Sequence, residues 1–219
     1  MRRFLRENSL SLVMFGAFFL ILGGQIVVGL AESNQDRQEH GQEAQPLGEY
    51  LGSGHFIEAV FENWESEFLQ IGAFVLLTVK LRQKGSPESK KLEGDEAVDA
   101  EPNPRRKGAP WPVRKGGLVL KVYEHSLTIT LFGLFLLSFW LHALGGATEY
   151  SEQQLAHGEE PVTALAYVGT NRFWFESLQN WQSEFLSIGV LVVLSVFLRE
   201  KGSPESKPVD HPIWETGSA

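Results

Sequence analysis

Cysteine is absent from this 219-residue chain, which excludes disulfides, thiolate metal ligands and thiol nucleophiles. No Walker-type loop, HExxH, GxSxG or paired-carboxylate hydrolase pattern occurs, so no familiar catalytic chemistry is spelled out and no catalytic residue is assigned. Charge is missing from two windows, Ser9 to Leu30 and Ser126 to Ala147, which hold no Asp, Glu, Lys or Arg. Each has the ~20 residues that a helix needs to cross a bilayer. Basic residues are scarce in 31–65 and 148–182, where only Arg37 and Arg172 occur; the other 17 of the 19 Lys and Arg lie in the N-terminal tail, in 80–124 or near the C-terminus.

The Met1-Arg2-Arg3-Phe4-Leu5-Arg6 start and Gly29-Leu30-Ala31 resemble the basic and small-residue ends of a signal peptide. The first apolar run exceeds the 7–15 residues of a usual signal core, and its counterpart lies in mid-chain. It is therefore expected to be retained as a helix.

Sliding the chain against itself by 117 residues aligns 7–90 with 124–207 without a gap, and roughly two positions in five are identical. Asn63-Trp64-Glu65-Ser66-Glu67-Phe68 returns as Asn180-Trp181-Gln182-Ser183-Glu184-Phe185, and Gly85-Ser86-Pro87-Glu88-Ser89-Lys90 is reproduced letter for letter at 202–207. Each repeat reads as two helices. The first is expected to run past the membrane to His40-Gly41 or His157-Gly158, and the second to end near Arg82 or Arg199, before Gly85 or Gly202.

The predicted fold is an all-α membrane protein with transmembrane helices at about 9–30, 64–82, 126–147 and 181–199. These form two tandem hairpins of parallel topology, related by a pseudo-two-fold axis along the membrane normal. Residues 1–90 are the first repeat, 91–121 a poorly ordered cytoplasmic linker, 122–207 the second repeat and 208–219 a cytoplasmic tail. The positive-inside rule places both termini and the linker in the cytoplasm. Nucleic acid is not expected as a partner for a chain of net charge −8 whose cations flank membrane spans. The basic end of the linker, with Arg105, Arg106, Lys107, Trp111, Arg114 and Lys115, reads either as a solvated, topology-enforcing linker or as a surface resting on anionic headgroups.

From Phe68 to Leu81 only 14 largely apolar residues occur, about 21 Å of helix against a core of about 30 Å. The second helix must therefore borrow upstream turns. There Asn63, Ser66, Glu67 and Gln70 form a polar strip, repeated by Asn180, Ser183, Glu184 and Ser187. Facing lipid would cost several kcal/mol, so the strips are expected to face other helices or a wet cavity. Three roles fit: packing of a bundle through hydrogen bonds, a proton or cation site where Glu67 and Glu184 approach one another, or a surface position just above the lipid.

Gln25 and His142 read as interhelical hydrogen-bonding groups or, as the alternative, parts of a proton relay, and Gly16, Gly133, Gly23-Gly24 and Gly145-Gly146 as sites of close helix approach. His40 and His157 lack a nearby second ligand, and no metal or cofactor is expected. The Ser86-Pro87-Glu88 and Ser203-Pro204-Glu205 copies read as helix stops or as docking points for a cytoplasmic partner or headgroup.

With Arg6-Glu7-Asn8-Ser9-Leu10-Ser11-Leu12, the segment from Phe61 to Gln70, Tyr123-Glu124-His125-Ser126-Leu127 and Gly202 to Pro208, the chain resembles a family of bacterial membrane proteins classed as a domain of unknown function. The resemblance covers nearly the whole chain and implies a multi-pass protein of the bacterial inner membrane, with no activity or site residue to carry over. The expected function is thus that of a non-enzymatic inner-membrane protein. Its hairpins pack with each other, with a membrane-protein partner or with a second copy. The alternatives are a proton or small-cation channel or transporter and, more weakly supported, an enzyme of lipid chemistry.

Overall fold

A computed structural model describes residues 2–217. Among them the regular structure is entirely helical. Two short helices and two long ones occupy the first 78 residues: α1 (Arg2–Glu7), α2 (Ser9–Glu39), α3 (Leu47–Tyr50) and α4 (Gly54–Thr78). A 3₁₀ turn (Ala97–Asp99), α5 (Trp111–Lys115) and α6 (Gly117–Glu124) lie in the connecting segment, followed by α7 (Ser126–Ala156), α8 (Ala164–Val168) and α9 (Asn171–Phe197). The chain divides into two compact units. One contains residues up to Phe61 and Leu141–Phe173, the other Glu62–Trp140 and residues from Trp174 onward.

Three helices among the described residues, α2, α7 and α9, are long and apolar enough to cross a membrane, against the four expected from the sequence. The missing one is α4. Its 25 residues give about 37 Å of rise, but Glu58, Glu62, Glu65 and Glu67 break its apolar character. By contrast α2 buries no residue at all, and leaves Leu10 and Leu20 at 75% and 78% exposure. Its stretch 9–30, apolar all round and mostly uncovered by protein, suits hydrocarbon rather than water.

The long first helix of each half ends where its sequence predicts. After α2, Gly41 adopts φ +72° while Gln42 N–H donates to the Arg37 carbonyl and Gly41 N–H to that of Gln38. After α7, Gly158 at φ +78°, Glu159 and the carbonyls of Gln154 and Leu155 repeat that arrangement. Both are Schellman stops.

The second helices stop earlier than expected, at Thr78 and Phe197 rather than near Arg82 and Arg199. Each arginine instead folds back. Arg82 Nη1 donates to the carbonyls of Thr78, Val79 and Leu81, and Arg199 Nη1 to those of Ser195, Val196 and Leu198. Cations so placed satisfy the orphan carbonyls of the last turn and oppose its dipole.

The second unit's C-terminal tail closes over the first Gly-Ser-Pro-Glu-Ser-Lys turn. Gly85 N–H donates to Thr216 Oγ1 at 2.8 Å, and Gly217 N–H to the Ser86 carbonyl at 3.1 Å. At φ +86° and with the Ile213 carbonyl oxygen 2.3 Å from where a Cβ would stand, position 85 admits only glycine. In the second copy Lys207, 2% exposed, donates to the carbonyls of Pro212, Ile213 and Glu215. Burial, then the Arg199 charge, holds that ammonium below its usual range.

Candidate functional site

In the first unit a helix contact without side chains positions the chemistry. A Cβ on Gly54 would stand 2.5 Å from the Glu149 nitrogen and 2.7 Å from the Gly145 oxygen; one on Gly145 would stand 2.5 Å from the Glu58 nitrogen. The start of α4 therefore lies backbone to backbone on α7, as small residues permit. That contact brings Glu58 to His142, one turn before Gly145 on α7. A Glu58 carboxylate oxygen and a His142 ring nitrogen lie within 4.8 Å of each other.

Both side chains are removed from solvent, His142 at 0% and Glu58 at 7% exposure. His142 stacks on Phe173 with ring centroids 4.7 Å apart and planes 25° from parallel. Tyr167, itself fully buried, donates its hydroxyl proton to Glu58 Oε1 at 3.1 Å, while the Arg172 guanidinium stands 3.9 Å from the same carboxylate oxygen. The tyrosine lies over Gly146, where a Cβ would come 2.3 Å from its ring. Tyr50 lies over Gly29 in the same way, with its hydroxyl 2.1 Å from that Cβ position. Around Tyr50, however, stand His55, at 3.5 Å from the hydroxyl, and Glu32, paired to His55 at 3.1 Å. Burial, then the Glu32 charge, pushes the Tyr50 hydroxyl above its usual range.

The second unit holds a carboxylate pair. Oxygens of Glu62 and Glu176 lie within 4.8 Å of one another. Asn180 Nδ2 donates to Glu62 Oε1 at 2.8 Å, and Trp181 Nε1 donates to Glu65 Oε1 at 2.9 Å, Glu65 being fully buried. Trp181 is fixed by edge-to-face contacts with Phe135 and Trp174, at centroid separations of 6.1 Å each. Along α4, Glu58, Glu62 and Glu65 follow one another at helical spacing on one face.

The polar strips expected from the sequence divide. Ser66 and Gln70 are buried; Asn63, Glu67, Ser183 and Ser187 are exposed; Asn180 and Glu184 are half-buried. Ser66, Ser183 and Ser187 spend their hydroxyl protons on their own helices, donating to the carbonyls of Asn63, Asn180 and Glu184. Glu67 lies within electrostatic reach of Glu184. Of the docking residues, Ser86 is fully buried, its hydroxyl 3.4 Å from that of Ser195, while Pro87 and Ser203 are half-buried and Pro204 exposed. Glu88 and Glu205 stand close enough for a protonated Glu88 carboxyl to hydrogen-bond to Glu205. Burial, followed by that hydrogen bond and the Glu205 charge, pushes the Glu88 carboxyl up to about 7. Gly16, Gly23, Gly24 and Gly133 have nothing within 4 Å of a Cβ, so only Gly145 and Gly146 of the glycines expected to pack serve a close approach.

Over residues 1–218 the sequence matches the family described as domain of unknown function DUF6766. The chain belongs to that family. No curated protein and no solved structure matches it. Family membership supplies no chemistry, so the residues of this DUF6766 chain carry the functional argument alone. Three of the site's groups, Glu58, Glu62 and Glu176, escape a reading of identical letters, and His142 enters it without an acid partner. At an offset of 117, Glu58, Glu62, His142 and Glu176 stand against Phe175, Gln179, Gln25 and Ala59. The available signal was the difference between the copies, together with the run of glutamates at helical spacing on α4.

Proposed function

We propose that this DUF6766 chain is a multi-pass membrane protein that binds a divalent cation through carboxylate and imidazole groups held among its helices. The observation that carries this reading is the Glu58–His142 pair: an acid and an imidazole, both screened from water and within 4.8 Å. Buried ionisable groups among membrane helices are expensive and mark ion or proton sites by default. The Glu62–Glu176 carboxylates, within 4.8 Å of each other, supply a second place where like charges gain from a cation. Imidazole with carboxylate suits a borderline metal such as Zn²⁺ or Mn²⁺ better than Ca²⁺, which takes oxygen ligands. In this reading Tyr167 and Arg172 orient Glu58, as outer groups do around metal ligands.

The accompanying placement is a bacterial inner membrane with both termini inside. There α4 crosses as a fourth span, shielded along its acidic face by its neighbours, and the two repeats pack as parallel hairpins. The Glu67–Glu184 and Glu88–Glu205 interactions support that symmetry, because each joins equivalent positions of the two copies. The test is calorimetric titration of Zn²⁺ and Mn²⁺ into the full chain in nanodiscs. Wild type is expected to bind one of them, and Glu58→Gln and His142→Ala each to weaken binding at least tenfold. Binding that is absent, or unchanged in both variants, removes the proposal.

The Tyr167 and Arg172 contacts to Glu58 favour a second reading, in which these groups only pack a non-enzymatic protein against itself or a partner. That reading expects Glu58→Gln to lower stability while no metal binds. Cation passage along Glu67 and Glu184 is tested separately, as flux in proteoliposomes that a double Gln variant would abolish.

A further inference from the structure

The segment before α7 has a composition unlike the rest of this acidic chain. Between Pro102 and Tyr123 there are six cations, Arg105, Arg106, Lys107, Arg114, Lys115 and Lys121, and no acid. The same stretch exposes apolar side chains: Trp111 at 58%, Leu118 at 77%, Val122 at 51% and Tyr123 at 43%. Leu118 and Val122 are one turn apart on α6, and therefore on one face. Lys115 Nζ sits 4.9 Å from the Trp111 ring centroid, so cation and aromatic ring form one amphipathic unit on α5.

Its position gives this surface an occupant. α6 ends at Glu124, and after His125 the apolar helix α7 begins at Ser126. The same combination stands before α2, where Arg2, Arg3 and Arg6 and the exposed Phe4 and Leu5 of α1 precede Ser9, so a basic, apolar surface leads into both of these membrane-length helices. Gly116 and Gly117 have φ +69° and +61°, conformations other residues rarely adopt, so the α5–α6 turn is set by sequence. A helix pair that sets cations beside exposed Leu, Val and Trp, fixed to the mouth of a membrane helix, has the features of an interfacial anchor.

We infer that residues 105–123 form a lipid-binding element that lies in the headgroup region and selects anionic lipid. Leu118, Val122 and Trp111 enter the acyl boundary, and the six cations meet lipid phosphates. The proposal is independent of cation binding by Glu58 and His142.

The absence of cysteine makes a direct test possible. Leu118→Cys carries a unique spin label, whose accessibility to oxygen and to a water-soluble nickel chelate reports depth. The full chain is placed in nanodiscs of phosphatidylcholine alone or with 30% phosphatidylglycerol, with Glu101→Cys as a water-exposed reference. In the anionic discs the label is expected to be oxygen-accessible and protected from nickel, and to lose that protection in high salt. Replacing Arg114 and Lys115 with Gln should shift the buried fraction toward the surface, by on the order of fivefold per cation removed. Nickel access equal to that of the reference in both discs overturns the proposal. So does equal protection in lipid-free detergent, which would mean that protein rather than lipid covers Leu118.

Discussion

Replacing Gly145 with alanine tests how the Glu58–His142 pair is built. The added Cβ would stand 2.5 Å from the Glu58 nitrogen and 3.0 Å from the Ile57 carbonyl carbon. Both are backbone atoms that no rotamer change can move, so α4 and α7 must separate by about 0.9 Å to reach ordinary contact. Overpacking of this kind costs about 1–3 kcal/mol. The gain of about 0.5–1 kcal/mol from replacing a helical glycine offsets part of it. Gly133, on the same helix with nothing within 4 Å of its Cβ position, is the internal control: there alanine should stabilise by about 0.5–1 kcal/mol. The two variants should therefore differ by about 1–3 kcal/mol, or several degrees in Tm by the usual scaling for chains of this length. Thermal unfolding in nanodiscs followed by circular dichroism measures the difference. Gly145→Ala should also weaken Zn²⁺ or Mn²⁺ binding, because the separation carries Glu58 away from His142. Equal melting of the two variants would refute the close backbone contact and the site geometry that depends on it.

Tyr167→Phe removes the hydroxyl that donates to Glu58 Oε1 and should cost about 1–3 kcal/mol in unfolding experiments, as for hydrogen bonds to charged groups. Lys207→Met deletes three hydrogen bonds to the carbonyls of Pro212, Ile213 and Glu215, and should speed amide exchange in 208–217 at least tenfold while leaving α2 unchanged. The Glu88–Glu205 contact should depend on pH. A carboxyl raised from the ordinary 4.5 to about 7 binds its proton more tightly in the folded chain, so its contribution is complete below pH 4.5 and lost as pH rises through about 7. The full shift corresponds to about 3 kcal/mol, which partial solvent exposure reduces to about 1–2. Exchange at residues 86–90 between pH 5 and 8 should report that loss, and Glu205→Gln should flatten the profile.

Periodicity and stop signals made much of the helical architecture legible. Charge-free windows marked α2 and the first part of α7, and glycine after histidine marked their far ends, because a Schellman stop has a local chemistry that the letters record. The ends of α4 and α9 were misplaced for a physical reason. Arg82 and Arg199 read as last-turn residues, yet their long side chains return to the final carbonyls from outside the helix, and spacing alone does not separate these geometries. α4 falls outside the helices that qualify as membrane spans by length and composition, because Glu58, Glu62 and Glu65 join Glu67 on its surface and the polar strip read from the repeat included Glu67 alone of the four. The identical motif Asn-Trp-x-Ser-Glu-Phe drew attention to Glu67 and Glu184. Glu67 is exposed and Glu184 half-buried, in contrast to Glu58 and Glu65, which are buried.

The likeness of the two halves explains why the informative residues were the unlike ones. Two similar stretches of sequence keep alike the residues that the fold requires: Tyr50 and Tyr167 are both buried, and Gly29 and Gly146 both make room for a tyrosine. Around these fixed rings the neighbours differ, with His55 and Glu32 near Tyr50 but Glu58, Arg172 and Phe173 near Tyr167. A cation site needs several negative or neutral donors converging from different helices, and a strictly symmetric pair of copies would need two complete sets of them. Placing the acids on α4 of the first copy and the histidine on α7 of the second requires fewer buried charges, which matters where each uncompensated charge costs several kcal/mol. The asymmetry predicts a non-reciprocal result. Gln25→His, which copies His142 into the first repeat, should add no cation affinity, because position 175, equivalent to Glu58, is phenylalanine. His142→Gln, which copies the first repeat into the second, should abolish it. Titration of both variants beside wild type decides the matter, and a gain of binding in Gln25→His would show that the two copies are equivalent in function after all.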